Sequence, residues 1–227
     1  MKILVVDIGG TNLKVYANGH NPPAKIQSGR HMTARKMVNA VLKIVAGTNY
    51  SGISIGYPGP VMNGKPAKDP HNLAPGWVGF DFEKAFEKRV KIINDAAMQA
   101  VGSYEGGRML FLGLGTGLGS TLIVDGLVTP MELAHLPYKP RRTFEDRVGI
   151  AALKAMGLKK WRQTVVDVVG ILRSALQVDY VVLGGGNAKL LTELPQDIRL
   201  CVPWEAVYLG GCRLWQPPAN LPLVKVA

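Results

Sequence analysis

Asp7 stands just before a glycine-rich turn, Gly9-Gly10-Thr11, and Lys14 follows on its far side. A carboxylate beside such a turn is placed to hold Mg²⁺ through water. A lysine on the return strand is either an exposed strand residue or a counter-charge for phosphate. A second turn, Gly115-Thr116-Gly117, lies within the run Gly113 to Ser120. Glycines let backbone N–H groups approach an anion with no Cβ in the way. Thr11, Thr116 and Ser120 can add hydroxyl donors. Asn94-Asp95 closes an apolar run. A carboxylate there suits a helix cap, or a base that accepts a proton from a substrate hydroxyl, and one residue can do both. Glu132 and His135 share one face of a helical turn. No further Cys or His ligand follows closely, so Glu132, His135 and Glu145 suit the paired hydroxyls of a sugar better than a metal.

These residues need strands to present them. Ile3 to Val6 leads into the first turn, and Leu13 to Ala17 returns from it. Met109 to Leu112 leads into the second, and Thr121 to Val124 returns. Each return strand ends in a hairpin dipeptide, Asn18-Gly19 or Asp125-Gly126. One supersecondary unit therefore occurs twice, which suggests phosphates held between two halves. Neither turn opens a helix, which excludes the G-x-G-x-x-G dinucleotide fingerprint. Gly59 to Lys65 follows the Walker A pattern until Pro66 replaces its metal-binding hydroxyl. Pro58, Pro60 and Pro66 also oppose a following helix.

Periodicity predicts an α/β chain. A helix over 33–46 starts at Thr33 and stops at Gly47, and a short buried strand runs from Ile53 to Gly56. Residues 57–79 read as a Pro/Gly-rich loop. Asp81 begins a helix over 81–90, a strand spans Val90 to Ile93, and Asn94-Asp95 starts a helix through Tyr104. Thr143 caps another helix, with Asp146 at a capping-box position. A longer helix over 159–177 and a strand from Tyr180 to Leu183 precede Gly184-Gly185-Gly186. A helix to about Leu194 and another over 204–214 complete the pattern. The repeat predicts a small N-terminal domain of 1–97 plus 208–227, a larger domain of 98–207, and a ligand-binding cleft between them.

The 227 residues are 47% apolar, enough for a substantial core, with no apolar stretch long enough to span a membrane. Lys2 followed by Ile3 to Val6 is too short for a signal segment, and Cys201 and Cys212 make neither a disulfide framework nor a metal site. A cytoplasmic location is expected, with no membrane partner. The net charge of +11 suits a polyanionic partner. Its clusters are Lys84, Lys88, Arg89 and Lys91; Lys139, Arg141 and Arg142; and Lys154, Lys159, Lys160 and Arg162. Each also reads as a solvated face. No nucleic-acid-binding motif accompanies them, so nucleic acid is not expected as a partner.

Taken in order, Asp7 to Lys14, Gly56 to Gly59, Asn94-Asp95, Leu112 to Gly119, Glu132 to His135 and Gly184 to Gly186 resemble the ROK sugar kinases. Gly107 to Ser120, Met131 to Tyr138 and Asp179 to Lys189 resemble their polyphosphate glucokinase branch. The resemblance covers about residues 2–215. It implies an actin/hexokinase-like fold of two ribonuclease-H-like domains closing over glucose. It makes Asp95 the base toward the sugar 6-hydroxyl. Gly59, Asn72, Asn94, Glu132, His135 and Glu145 would hold the sugar, and Asp7 would position Mg²⁺. Gly9, Gly10, Thr11, Lys14, Gly115, Thr116 and Gly117 would contact phosphates, with Gly184, Gly185 and Gly186 bordering the donor. Polyphosphate or ATP is the implied donor, and a homodimer the implied assembly. Residues 136–150 hold no cysteine, so the structural zinc of many ROK proteins is not expected. An ATP-dependent kinase for another hexose and a non-catalytic sugar-binding relative are the alternatives.

Overall fold

The computed structural model describes residues 1–17, 23–216 and 225–226. The Asn18-Gly19 dipeptide lies outside the described residues. The chain divides into two compact units, Met1–Met98 with Val207–Gln216, and Gln99–Ala206 with Pro217–Ala227.

In the first unit, β1 (Ile3–Ile8), β2 (Asn12–Tyr16) and β3 (Ala24–Gln27) are followed by α1 (Ala34–Ile44) and β4 (Gly52–Tyr57). Two short strands, β5 (Val61–Met62) and β6 (Lys65–Pro66), precede α2 (Phe82–Phe86), β7 (Val90–Asn94) and α3 (Asp95–Ser103), whose Gln99–Ser103 belong to the second unit. The sheet order is β3-β2-β1-β4-β7, with β1, β4 and β7 parallel and the β1–β2 and β2–β3 pairs antiparallel. All six residues of β1 are buried, as expected of a central strand covered on both faces. Thr33 caps α1 by accepting from the Lys36 amide, and Ala34, Met37, Val38 and Val41 form its buried face. Each larger side chain so buried contributes about 1.5–3 kcal/mol.

The second unit begins with β8 (Arg108–Leu114), β9 (Leu118–Val124) and β10 (Leu127–Met131), then a 3₁₀ turn at Leu133–His135. The strands β11 (Pro137–Lys139) and β12 (Arg142–Thr143) lead to α4 (Glu145–Val148), α5 (Ile150–Met156) and α6 (Leu158–Leu176). Next come β13 (Tyr180–Gly184), a 3₁₀ turn at Ala188–Leu190, β14 (Ile198–Leu200), α7 (Pro203–Arg213), whose Val207–Arg213 belong to the first unit, and β15 (Lys225–Val226). The sheet order is β14-β13-β8-β9-β10-β15. Its first five strands repeat the first unit's pattern, with β14, β13 and β8 parallel and then two antiparallel steps. The duplication read from the turns is thus a duplication of topology. Trp161, Val165, Val168, Val169 and Leu172 make the buried face of α6. Trp161 also donates from Nε1 to the Val148 carbonyl at 2.9 Å.

Several elements differ from the sequence expectation. The segment 57–79 contains the β5–β6 hairpin, turned by Asn63 and Gly64 at positive φ, so the Walker-like stretch is a hairpin arm and not a phosphate loop. The helix begun by Asp81 is five residues long and ends at Glu87 in the left-handed region. The helix expected after Gly186 is only a 3₁₀ turn, and β14 follows it. Thr143 and Asp146 form the reciprocal capping box, at 2.9 and 3.2 Å, but the helical segment breaks at Gly149 and Gly157. Among the described residues, no helix is long and apolar enough to cross a membrane.

Two glycines give opposite tests of this packing. A Cβ on Gly211 would stand 2.6 Å from both Val5 methyl groups, whereas a Cβ on Gly170, in α6, meets nothing within 4 Å. Gly211→Ala is expected to destabilise the protein by about 1–3 kcal/mol through overpacking. Gly170→Ala is expected to stabilise it by about 0.5–1 kcal/mol. Urea unfolding of the two variants checks both signs.

Candidate active site

In the first unit the parallel strands bring three sequence-distant residues to one sheet edge. The register sets Asp7 beside Gly56, and Tyr57 beside Asn94. The C-terminal ends of β1, β4 and β7 thus carry Asp7, the Gly59 loop and Asn94-Asp95, the usual location of ligands in parallel sheets. Asp7 is buried, and its Oδ2 accepts from Lys14 Nζ at 2.7 Å. A Cβ on Gly56 would lie 3.6 Å from Asp7 Oδ1 and 3.6 Å from the Asp95 Cα. Gly56 therefore keeps clear the ground between the two carboxyl-bearing residues.

Asn94, and not Asp95, caps α3. Its Oδ1 accepts from the Ala97 amide at 3.1 Å, and its Nδ2 donates to the Gly59 carbonyl at 3.2 Å. Asp95 is the first helical residue and accepts from the Ala96 amide at 2.8 Å. Burial, and then the negative charge of Asp7, push the Asp95 carboxyl up to about 7. The Ala96 amide, its own amide and Lys14 act in the opposite direction without cancelling the rise. A carboxyl held near neutrality can exchange a proton at physiological pH.

The first glycine turn is fastened by its carbonyls. Gly9 donates its N–H to the Asn12 carbonyl at 3.0 Å. The Gly9 carbonyl accepts from Ser28 Oγ at 2.6 Å, and the Thr11 carbonyl from the Ser28 amide at 2.9 Å. Asn72 lies against Gly10, its Cβ 3.0 Å from where a glycine Cβ would stand. Asn72 is carried on a loop gathered by Asp69, whose carboxylate accepts from the amides of Gly76, Trp77 and Val78 at 3.2, 2.8 and 3.3 Å. Those bonds hold the Asp69 carboxyl below its ordinary range.

In the second unit, β8 pairs with β13 so that Gly113 faces Gly184, bringing Gly115 to Gly117 and Gly184 to Gly186 to one edge. The Gly115 carbonyl accepts from Asn187 Nδ2 at 3.0 Å, the Thr116 carbonyl from the Ile150 amide at 3.3 Å, and the Gly117 carbonyl from the Gly115 amide at 3.1 Å. A Cβ on Gly184 would meet Phe111 at 2.5 Å and Cys201 Sγ at 2.9 Å. Gly185, at φ +80°, would meet the Leu114 carbonyl at 2.5 Å. Close packing therefore explains the first two glycines, and Gly186 alone faces open space. Glu145 turns to the second glycine turn: its Oε2 accepts from the Leu118 amide at 3.1 Å, and a Cβ on Gly117 would overlap it.

Glu132 and His135 flank the 3₁₀ turn, with Oε2 and Nε2 3.9 Å apart and both side chains more than 70% exposed. Ser120 is not a free donor. Its hydroxyl donates to the Met131 carbonyl at 2.7 Å and accepts from the Leu133 amide at 3.1 Å, so it braces that turn. Of the basic clusters, Arg89 and Lys91 are tied to Trp215 by cation–π contacts of 5.4 and 4.9 Å. Among the described residues, no group of three or more His, Cys, Asp or Glu gathers as a metal site. Ser28, Asn187 and Asp69 were missed from sequence, because a lone Ser, Asn or Asp in a loop carries no spacing signal.

The fold is that of the ROK sugar kinases. The glucomannokinase of Arthrobacter sp. strain KM, which uses inorganic polyphosphate or ATP, superimposes with a TM-score of 0.74 at 21% identity, over 92% of this chain and 98% of that one. A ROK family glucokinase of Streptomyces griseus, solved with glucose and AMPPNP, gives 0.73 at 16% identity, over 94% and 99%. In sequence, the chain is 24% identical to the polyphosphate glucokinase of Mycobacterium tuberculosis over 181 residues, 73% of this chain and 68% of that protein. No protein-family model matches the chain. The resemblance read from the motifs is thus met in both sequence and fold.

The raised Asp95 pKa has a stability consequence. Its folded value, about 7, exceeds the unfolded value of 3.8, so folding favours the protonated form. That contribution is complete below pH 3.8 and is lost as pH rises through 7. Asp95→Asn removes the charge and is expected to raise Tm above pH 7, with the difference shrinking towards pH 4 (about the ordinary carboxyl value). Thermal unfolding from pH 4 to 8 (spanning about both titrations) checks this.

Proposed function

We propose that this protein is a glucokinase that moves a phosphoryl group from inorganic polyphosphate, or from ATP, to the 6-hydroxyl of glucose. The observation that carries the reading is the Asp95 carboxyl, raised to about 7 at the sheet edge that also holds the Asp7–Lys14 pair. The polyphosphate glucokinase similarity and the ROK fold favour sugar and donor of these kinds.

In this mechanism the Asp95 carboxylate accepts the proton of the sugar hydroxyl as that oxygen bonds to the donor's terminal phosphorus. The bond from that phosphorus to its bridging oxygen breaks, and the shortened donor leaves with the bonding electrons. Little covalent work falls to the protein, so positioning and charge stabilisation dominate. Gly10, Thr11, Thr116 and Gly117 would offer amides to phosphate oxygens, and Lys14 a positive charge. Asn94, Asn72, Gly59, Glu132, His135 and Glu145 would orient the sugar.

Asp7 fits a role in holding Mg²⁺. One of its oxygens is occupied by Lys14, and the other borders the space that Gly56 keeps clear. One carboxylate oxygen plus phosphates is a donor set suited to Mg²⁺, which would supply charge neutralisation on the phosphates. A homodimer in the cytoplasm remains part of the proposal through the family resemblance.

The test is glucose 6-phosphate formation with Mg²⁺ and a single donor, polyphosphate or ATP. Product from polyphosphate supports the full reading. Product from ATP alone keeps the kinase and removes the polyanion donor. Phosphorylation only of mannose or an N-acetylated amino sugar would replace glucose, and sugar binding with no turnover on any sugar would favour the non-catalytic relative. Asp95→Asn is expected to lower kcat by about 10²–10⁴-fold with glucose binding retained. Because the ionised base is the active form, kcat/KM is expected to rise with pH and level off above about 7. A flat profile from pH 5 to 8 (about the range in which such a base titrates) would refute Asp95 as the base.

A further inference from the structure

The two glycine turns share a device that no motif describes. A carbonyl and the following N–H belong to one planar peptide and point in opposite directions. A bond that fixes the carbonyl of one residue therefore aims the amide of the next. Ser28 Oγ holds the Gly9 carbonyl at 2.6 Å and so aims the Gly10 N–H. Asn187 Nδ2 holds the Gly115 carbonyl at 3.0 Å and so aims the Thr116 N–H. Neither amide donates to another described residue.

Glycine makes this fastening necessary. With a glycine on one or both sides, these peptides have little steric preference and can turn over cheaply. A turned peptide would present its carbonyl oxygen, which repels an anion. Each fastening residue is itself held by its backbone. Ser28 follows β3, where Asn12 pairs with Gln27, and its amide donates to the Thr11 carbonyl at 2.9 Å. Asn187 follows the glycine run, and its amide donates to the Leu114 carbonyl at 2.9 Å.

The geometry points to Ser28 and Asn187 as the positioning residues of the two anion turns, each setting the direction of one phosphate-facing amide. They act on the donor and not on the sugar, and this rests on the kinase reading above. Neither is among the residues to which the resemblance gives a phosphate contact, although Asn187 lies within the Asp179 to Lys189 run.

The experiment compares Ser28→Ala, Ser28→Thr, Asn187→Ala and Asn187→Asp with the parent. Inorganic triphosphate binding is read by calorimetry without sugar, and KM for donor and for glucose separately. Ser28→Ala and Asn187→Ala are each expected to weaken triphosphate binding and raise donor KM by about five- to tenfold, the scale of one hydrogen bond. Glucose KM stays within about twofold and Ser28→Thr, which keeps the hydroxyl, restores the parent values. Asn187→Asp is expected to bind triphosphate more weakly still, because its carboxylate also repels the anion, so Asn187→Ala is the deciding variant. Unchanged triphosphate binding in a folded Ser28→Ala and Asn187→Ala overturns the proposal and leaves the kinase reading intact. Equal rises in both KM values also overturn it, as a general structural effect. A parent that binds neither triphosphate nor nucleotide overturns both.

Discussion

A carboxyl group that resists ionisation is the feature on which the candidate site depends. Asp95 is raised first by burial and then by the charge of Asp7. Both causes come from the sheet. Parallel pairing of β1, β4 and β7 ends three strands at one edge, and the register sets Asp7 against Gly56, one step from Tyr57 opposite Asn94. Gly56 has no side chain to separate the acidic residues, and Asn94 takes over the capping task that would otherwise occupy the Asp95 carboxylate. The outcome is a carboxyl poised near neutrality beside a lysine–carboxylate pair. Its cost is an acid that would be easier to fold uncharged.

The two units brace their glycine turns in the same way with different residues. In each sheet three strands pair in parallel and two antiparallel pairings follow, with β15 added in the second, and in each the turn after the first strand (β1 or β8) is glycine-rich. Glycine gives close approach but no preferred peptide direction. Bonds to the turn carbonyls supply that direction, from Ser28 in one unit and from Asn187 and Ile150 in the other.

Much of this architecture was legible in the sequence because it rests on local rules. The paired turns, the Thr33 and Asp81 caps and the Thr143–Asp146 capping box follow from short-range hydrogen bonding and appear as read. The failures lie where tertiary contacts decide. The helix expected after Gly186 gives way to a 3₁₀ turn held by Asn187 and followed by β14, an added strand with only three residues. Ser120 looked like a phosphate donor from its place in the second turn, yet its hydroxyl serves Met131 and Leu133. Asp95 looked like a cap, and the cap is its neighbour. The motifs marked which residues gather at the strand ends. They could not mark which polar atoms would be consumed in building those ends.

The most direct measurement is a carbon-13 NMR titration of the Asp95 carboxyl in the ligand-free protein, assigned by comparison with Asp95→Asn. A midpoint near 7 is the expected result, because burial and Asp7 both oppose the charge. A midpoint near 4 (about the ordinary aspartate value) would contradict a carboxyl held near neutrality by burial and Asp7.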